Sequence, residues 1–229
     1  MQQTVLVIAA HPDDEVLGCG GTIARHVAEG DEVHVVILAE GATSRDVIRS
    51  LEAREQDLND LAKAAHKAGN ILGVSTLNLH QFPDNRMDGV ELLDVIKCLE
   101  THIEAFKPSI VYTHHAGDLN IDHQITHKAA VTACRPYPGQ TVEMLIFFEV
   151  PSSTEWQIHG SAQTFSPNWF VDINDHFERK KEALSAYSAE MRFWPHARSI
   201  DAVESLAQLR GAATGVKAAE SFMLGRLVR

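Results

Sequence analysis

Apolar runs mark out the first half of the chain. Val5–Ala10 (VLVIAA), Glu32–Ala39 (EVHVVILA) and Ser109–Thr113 (SIVYT) are nearly continuous and rich in β-branched residues, the pattern of strands buried on both faces. Ser75–His80 reads as a further strand between the last two. Amphipathic stretches separate these runs: Val16–Glu29, closed by Gly30; Val47–Leu72, closed around Gly69 and Gly73; and Val90–Phe106, closed by Lys107-Pro108. Strand, helix and strand within about thirty-five residues make a βαβ unit, with a right-handed crossover and parallel strands. Four strands alternating with three helices predict an α/β fold, a doubly wound and mostly parallel sheet with helices on both faces. A helix at Gln124–Cys134, a break at Pro136–Gly139 and a fifth strand at Met144–Val150 continue the pattern. Regularity then weakens, leaving a short strand at Trp169–Ile173, helices at Phe177–Tyr187 and Ala202–Leu209, and a loop at Phe193–His196. Without a repeat or a Pro/Ser-rich linker, one domain over residues 1–229 is expected.

Two polar clusters interrupt this pattern at predicted strand ends. His11-Pro12-Asp13-Asp14-Glu15 follows the first strand, and His114-His115-Ala116-Gly117-Asp118-Leu119-Asn120-Ile121-Asp122-His123 follows the fourth. The C-terminal edge of a parallel sheet is where ligands bind, so both clusters can meet there. Crowded carboxylates repel unless a cation or donors compensate them. Capping of the next helix would account for one acid but not for a histidine and three acids. Gly18, Gly20 and Gly21 do not form G-x-G-x-x-G and come after the acids, so they do not make a dinucleotide loop. A histidine, an aspartate and a distant histidine are ordinary zinc ligands that leave a position open for water. Such an ion acidifies the water and polarises a carbonyl, and a spare carboxylate takes the proton. His11 supplies one ligand, Asp13 or Asp14 a second with the other as base, and the second cluster at least one histidine. The residues thus describe a metal-assisted hydrolase.

Composition narrows the partners. A formal net charge of −11 argues against nucleic acid and anionic membranes. No apolar run is long enough to span a bilayer, and the short N-terminal run lacks a preceding basic region. Cys19, Cys98 and Cys134 are far apart and form no C-x-x-C pair, so neither a disulfide framework nor a thiolate metal site is expected, and a cytoplasmic location is.

At these residues the sequence resembles the PIG-L/LmbE-like family of zinc-dependent N-deacetylases. The resemblance rests on Ala10–Glu15, AHPDDE, and on a downstream motif ending in Asp122-His123. Softer similarity covers Arg54-Glu55, Phe82–Arg86 and Ala219–Phe222. The resemblance implies a Rossmann-like fold and removal of an acetyl group from an N-acetylated amino sugar, free or conjugated. It implies one Zn²⁺ per chain held by His11, Asp14 and His123, with Asp13 as general base. The family often has His-x-x-His in the second motif, and Asn120 stands at its first position here. Arg54 and Asp84 match positions that contact the sugar, and Arg45 is a further pocket candidate.

Asn120 can donate a hydrogen bond but cannot pass a proton, so another imidazole is expected near the reacting carbonyl: His196 first, His115 second. Asp118 and Asp122 are candidates to orient the ligating rings; His127 falls between such a role and a plain surface one. Trp156, Trp169 and Trp194 could stack on a sugar, although core roles are commoner. The rival readings are a phosphoesterase-type metal hydrolase, against which the histidines count, and a non-catalytic nucleotide-sugar binding protein on the same frame. The sequence leaves a homo-oligomer open.

Overall fold

The first two apolar runs become the interior of the sheet. β1 (Thr4–Ala9) and β2 (Glu32–Ala39) are buried along almost their whole length, and they pair in parallel from Thr4↔Glu32 to Ala9↔Ile37. The computed structural model describes residues 2–228. The other strands are β3 (Thr76–Phe82), β4 (Ile110–His114), β5 (Met144–Phe148), β6 (Trp169–Asp172) and β7 (Ala219–Leu227). They form one sheet in the order β3-β2-β1-β4-β5-β7-β6. β1 to β5 are parallel, whereas β7 runs antiparallel to both β5 and β6.

Successive side chains on a strand face opposite sides, and β1 divides accordingly. Val5 and Val7 join a core that includes Leu61, Ala65 and Leu72 of α2 (Glu55–Leu72) and Ala183 and Leu184 of α5 (Phe177–Ala186). The same core takes in α1 (Asp14–Ala28) and α6 (Ile200–Ala212). Leu6 and Ile8 join a second core with Val95, Leu99 and Ile103 of α3 (Leu92–Phe106) and Ala129, Ala130 and Ala133 of α4 (Ile121–Ala133). Both sheet faces are therefore covered, as a doubly wound sheet requires.

Chain direction across the sheet positions the site. From β1 the chain winds outward through β2 to β3, then returns to place β4 on the other side of β1. This reversal opens a crevice beyond the C-terminal ends of β1 and β4, the topological switch point where ligands bind. The segments following these two strands are the two polar clusters.

The sequence pattern misplaces one element and misses another. The expected helix from Val47 begins only at Glu55, after a 3-10 turn at Glu52–Arg54. Val47 and Ile48 are 96% and 79% exposed, so their apolarity reflects no buried helix face. Asp46 and Arg54 join in two hydrogen bonds of 2.7 Å across this segment. The last strand, β7, has no clear signal, because Phe222, Met223 and Leu224 run together and Gly225 interrupts the alternation. Its partners β5 and β6 decide its conformation. The glycines of α1 serve close packing: a Cβ on Gly18 would stand 2.5 Å from the Phe148 ring.

Candidate active site

The β1–α1 loop is built to hold its acids. Asp13 has φ +116°, a backbone conformation that costs a non-glycine residue on the order of 1–3 kcal/mol. Local hydrogen bonds secure it. The His11 N–H donates to Asp14 Oδ2 at 2.8 Å, and the Asp13 N–H to Glu15 Oε2 at 3.1 Å. Glu15 Oε1 in turn accepts the Tyr187 hydroxyl at 2.6 Å. Burial pushes the pKa of Glu15 up to about 7. Glu15 is thus a brace beneath the loop.

His11, Asp14 and His123 converge, each offering a ligand atom, and these atoms lie within 4.8 Å of one another. Asp14 Oδ2 is 3.2 Å from both His11 Nδ1 and His123 Nε2. The outward ring nitrogens face carboxylates. His11 Nε2 lies 3.0 Å from Asp122 Oδ2, and His123 Nδ1 lies 3.2 Å from Asp118 Oδ1, the latter out of line for a hydrogen bond. With the protons held on those outer nitrogens, two lone pairs and a carboxylate oxygen face the same point. The donor set fits a divalent cation of the zinc class. Burial alone would lower the pKa of His123, but Asp14 and Asp118 outweigh it and hold it at about 9, so an ion binding there must displace a proton from its inner nitrogen. Burial alone would raise that of Asp118, but His123 brings it to about 2.

The two bracing aspartates are themselves held. Asp118 accepts the Ser153 and Thr154 hydroxyls; Asp122 accepts the Asn85 and Met87 N–H groups at 2.6 and 2.9 Å. Asn120 caps α4, its Oδ1 accepting the Asp122 N–H at 2.8 Å while its Nδ2 donates to Asn85. An amide oxygen suits a helix N-terminus, and this local role accounts for asparagine at that position.

A cavity of about 290 Å³ opens over the convergent group. Asp13, Asp84, Asn120 and Arg45 line it. Burial and the adjacent Asp14 push the Asp13 pKa well above the usual carboxylate range, with Arg198 pulling it back. Arg198 is the residue the sequence reading overlooked: its guanidinium reaches 3.4 Å from Asp13 Oδ2. The only hint was its place in the loop that contains His196. His196 itself is not among the cavity-lining residues. Its Nδ1 accepts the Arg198 N–H at 3.0 Å, and its ring packs edge-on to Trp156 at 5.6 Å. His115 also lies off the cavity lining, hydrogen-bonded to the Gln163 carbonyl at 2.8 Å. Its neighbour His114 stacks on His123 at 3.9 Å, with Nε2 accepting the Ala10 N–H. Burial lowers the His114 pKa well below the usual value. Arg54 is likewise absent from the lining and is paired with Asp46 and Asp57. His127 turns its Nδ1 to the His114 carbonyl at 2.8 Å.

A doubly wound sheet with an N,N,O donor set and a free carboxylate at its switch point defines a class of α/β protein built around a candidate hydrolytic metal centre. More particularly, the family model for GlcNAc-PI de-N-acetylase (PIG-L) matches residues 6–134, and the chain belongs to that family. Its relatives include the uncharacterized deacetylase YaiS of Escherichia coli K12, 31% identical, covering 81% of this chain and 90% of that protein. They also include the 4-oxalmesaconate hydratase of Pseudomonas putida KT2440, 27% identical over 85% of this chain and 77% of that protein. Other relatives are named as deacetylases of N-acetylglucosaminyl malate and of diacetylchitobiose. The fold matches the N,N'-diacetylchitobiose deacetylase structure from Pyrococcus horikoshii with TM-score 0.75 and 21% identity, over 98% of this chain and 84% of that one.

Proposed function

We propose that the protein is a zinc-dependent deacetylase that hydrolyses the acetamido group of an N-acetylated amino sugar or its conjugate. His11, Asp14 and His123 would hold one ion. A divalent ion there would polarise the amide carbonyl and acidify water. Asp13 takes the proton from the attacking water and passes it to the amide nitrogen as the C–N bond breaks, so that acetate and the free amine leave. A carboxylate with a raised pKa suits that two-way transfer, and the Arg198 charge opposes the rise that burial and Asp14 cause. On this reading Arg198, rather than His196 or His115, supplies the positive charge beside the developing oxyanion. Asp84 and Arg45 contact the sugar or its aglycone, while Arg54 secures the loop behind them. The reading extends to one domain in the cytoplasm; among the described residues no helix is long and apolar enough to cross a membrane.

The observation that carries the proposal is the convergence of three donor atoms within 4.8 Å beside an independent carboxylate in a cavity of monosaccharide scale. The test is acetate release from N-acetylglucosamine, diacetylchitobiose and N-acetylglucosaminyl malate with Zn²⁺ present. Release from at least one, abolished by a chelator, is expected. Failure on all of them, with hydration of 4-oxalmesaconate instead, would place the chemistry with the hydratase relative.

A further inference from the structure

On the edge of the sheet, away from the cavity, a second group of ligating side chains comes together. His80 lies near the end of β3, and Cys98 and His102 lie one turn apart on α3, so that both face the strand. His80 Nε2 is 2.8 Å from His102 Nε2, and Cys98 Sγ is 3.4 Å from His80 Nε2. The three donor atoms lie within 4.8 Å of one another, and all three residues are half-buried. Neither the catalytic reading nor the helix–sheet packing calls for two imidazoles and a thiol at one point. His80 and His102 stand near aromatic rings, His102 stacked on Phe106 at 5.7 Å.

We propose that His80, Cys98 and His102 form a second metal site, for a zinc-class divalent ion, that ties α3 to the edge strand. Two imidazole nitrogens and one thiolate are a borderline-soft donor set, which selects zinc over magnesium or calcium. Three protein ligands leave a fourth position to water. With ordinary zinc bond lengths, tetrahedral ligands stand about 3.3 Å apart for nitrogen pairs and about 3.6 Å for nitrogen and sulfur. Closure therefore asks the two rings to part by about 0.5 Å, and the thiol to swing from its position beside the His80 ring, where Sγ is also 3.6 Å from Nδ1. Burial lowers the pKa of both histidines, which keeps their lone pairs available. It raises the Cys98 thiol to about 11, so binding must displace its proton. The active-site donor set contains no sulfur, and Cys19 and Cys134 are buried elsewhere. A metal–thiolate signal from this chain is therefore specific to Cys98.

The full-length protein, reduced and stripped of metal, is titrated with Co²⁺ and read in the near-ultraviolet for thiolate-to-cobalt charge transfer. A band saturating at one ion per chain is expected. Cys98→Ser should abolish it, and His102→Gln, which keeps the thiol, should weaken Co²⁺ binding at this band at least tenfold. Circular dichroism of each variant confirms that it is folded; if Cys98→Ser does not fold, His80→Gln takes its place with the same expected weakening. A wild-type titration without a thiolate band would overturn the proposal. So would a band that survives Cys98→Ser or is untouched by the histidine variants.

Discussion

Residues 6–134, the span of the family match, and the chain beyond them build the same cavity by different means. In the first part, each contributor sits at the tip of a parallel strand or the start of a helix. His11–Asp14 follows β1, Ser44 and Arg45 follow β2, Asp84 follows β3, and Asn120 and His123 stand at the start of α4. The sheet alone brings these groups together. In the second part, Trp156 comes from the irregular segment between β5 and β6, and Glu190, Arg192 and Arg198 from the one between α5 and α6. These segments are held by side chains reaching back: Ser153 and Thr154 to Asp118, Tyr187 to Glu15, and Arg198 to Asp13. Reacting groups placed by topology tolerate little change, whereas a wall placed by charge pairing can vary without disturbing the sheet. The division suits a family whose relatives include both deacetylases and a hydratase.

The largest effect should come from removing a topologically placed residue of the proposed ligand set. His123→Ala is expected to abolish metal retention and acetate release, whereas His127→Ala leaves metal content near normal; elemental analysis of both distinguishes them. Equal loss in the two would mean that a ligand has been misplaced. Asp13→Asn should retain the metal while turnover falls by about 10²–10⁴-fold. Loss of metal instead would exchange the roles of Asp13 and Asp14.

The wall contributes less, and Arg198 is its strongest member. Arg198→Ala should lower kcat by about 10²-fold, on the scale of removing one oxyanion donor, while His196→Ala stays within a factor of a few. The reverse order in steady-state kinetics would return the role to His196. A buried ion pair of the second part, anchored on α1 with Lys180 Nζ donating to the Leu17 carbonyl at 2.8 Å, gives a stability readout. Lys180 and Glu220 are both buried, with Nζ and Oε1 2.6 Å apart, and Glu220 also accepts the Gly21 and Thr22 N–H groups of α1. Glu220→Gln strands the Lys180 charge and should cost about 3–5 kcal/mol in urea unfolding. A cost under 1 kcal/mol would show that this buried pair contributes little to holding the second part against α1.

The smallest effect concerns a histidine of the first part with no catalytic role. His34 is buried on β2, stacked on Phe106 at 4.0 Å, and burial holds its pKa below the usual value. The unfolded chain takes up this proton near pH 6.5 and the folded chain resists it. The His34 contribution is therefore complete above about pH 6.5 and is lost as pH falls through the lower folded value. His34→Gln should flatten the fall of Tm below pH 6.5 by about 2 °C; an unchanged slope would clear His34 of any part in acid unfolding.

Much of this was readable from residue order. Continuous β-branched runs have no polar phase to expose, so β1 and β2 had to be interior, and parallel pairing follows from the helices between them. The acids after β1 and the histidines after β4 were then bound to share one edge. The convergence of His11, Asp14 and His123 needed only the order of strands. What tertiary structure alone decided lies where local pattern carries no preference. β7 is a strand because β5 and β6 offer it partners. His114 rather than His115 meets the centre because strand alternation, which the loop boundary obscured, turns adjacent side chains to opposite faces. Arg198 rather than His196 reaches Asp13 because a buried carboxylate attracts the cation that a loop can bring to it. The grouping of His80, Cys98 and His102 joins a strand to a helix eighteen residues on, and no spacing rule along the chain records that distance in space.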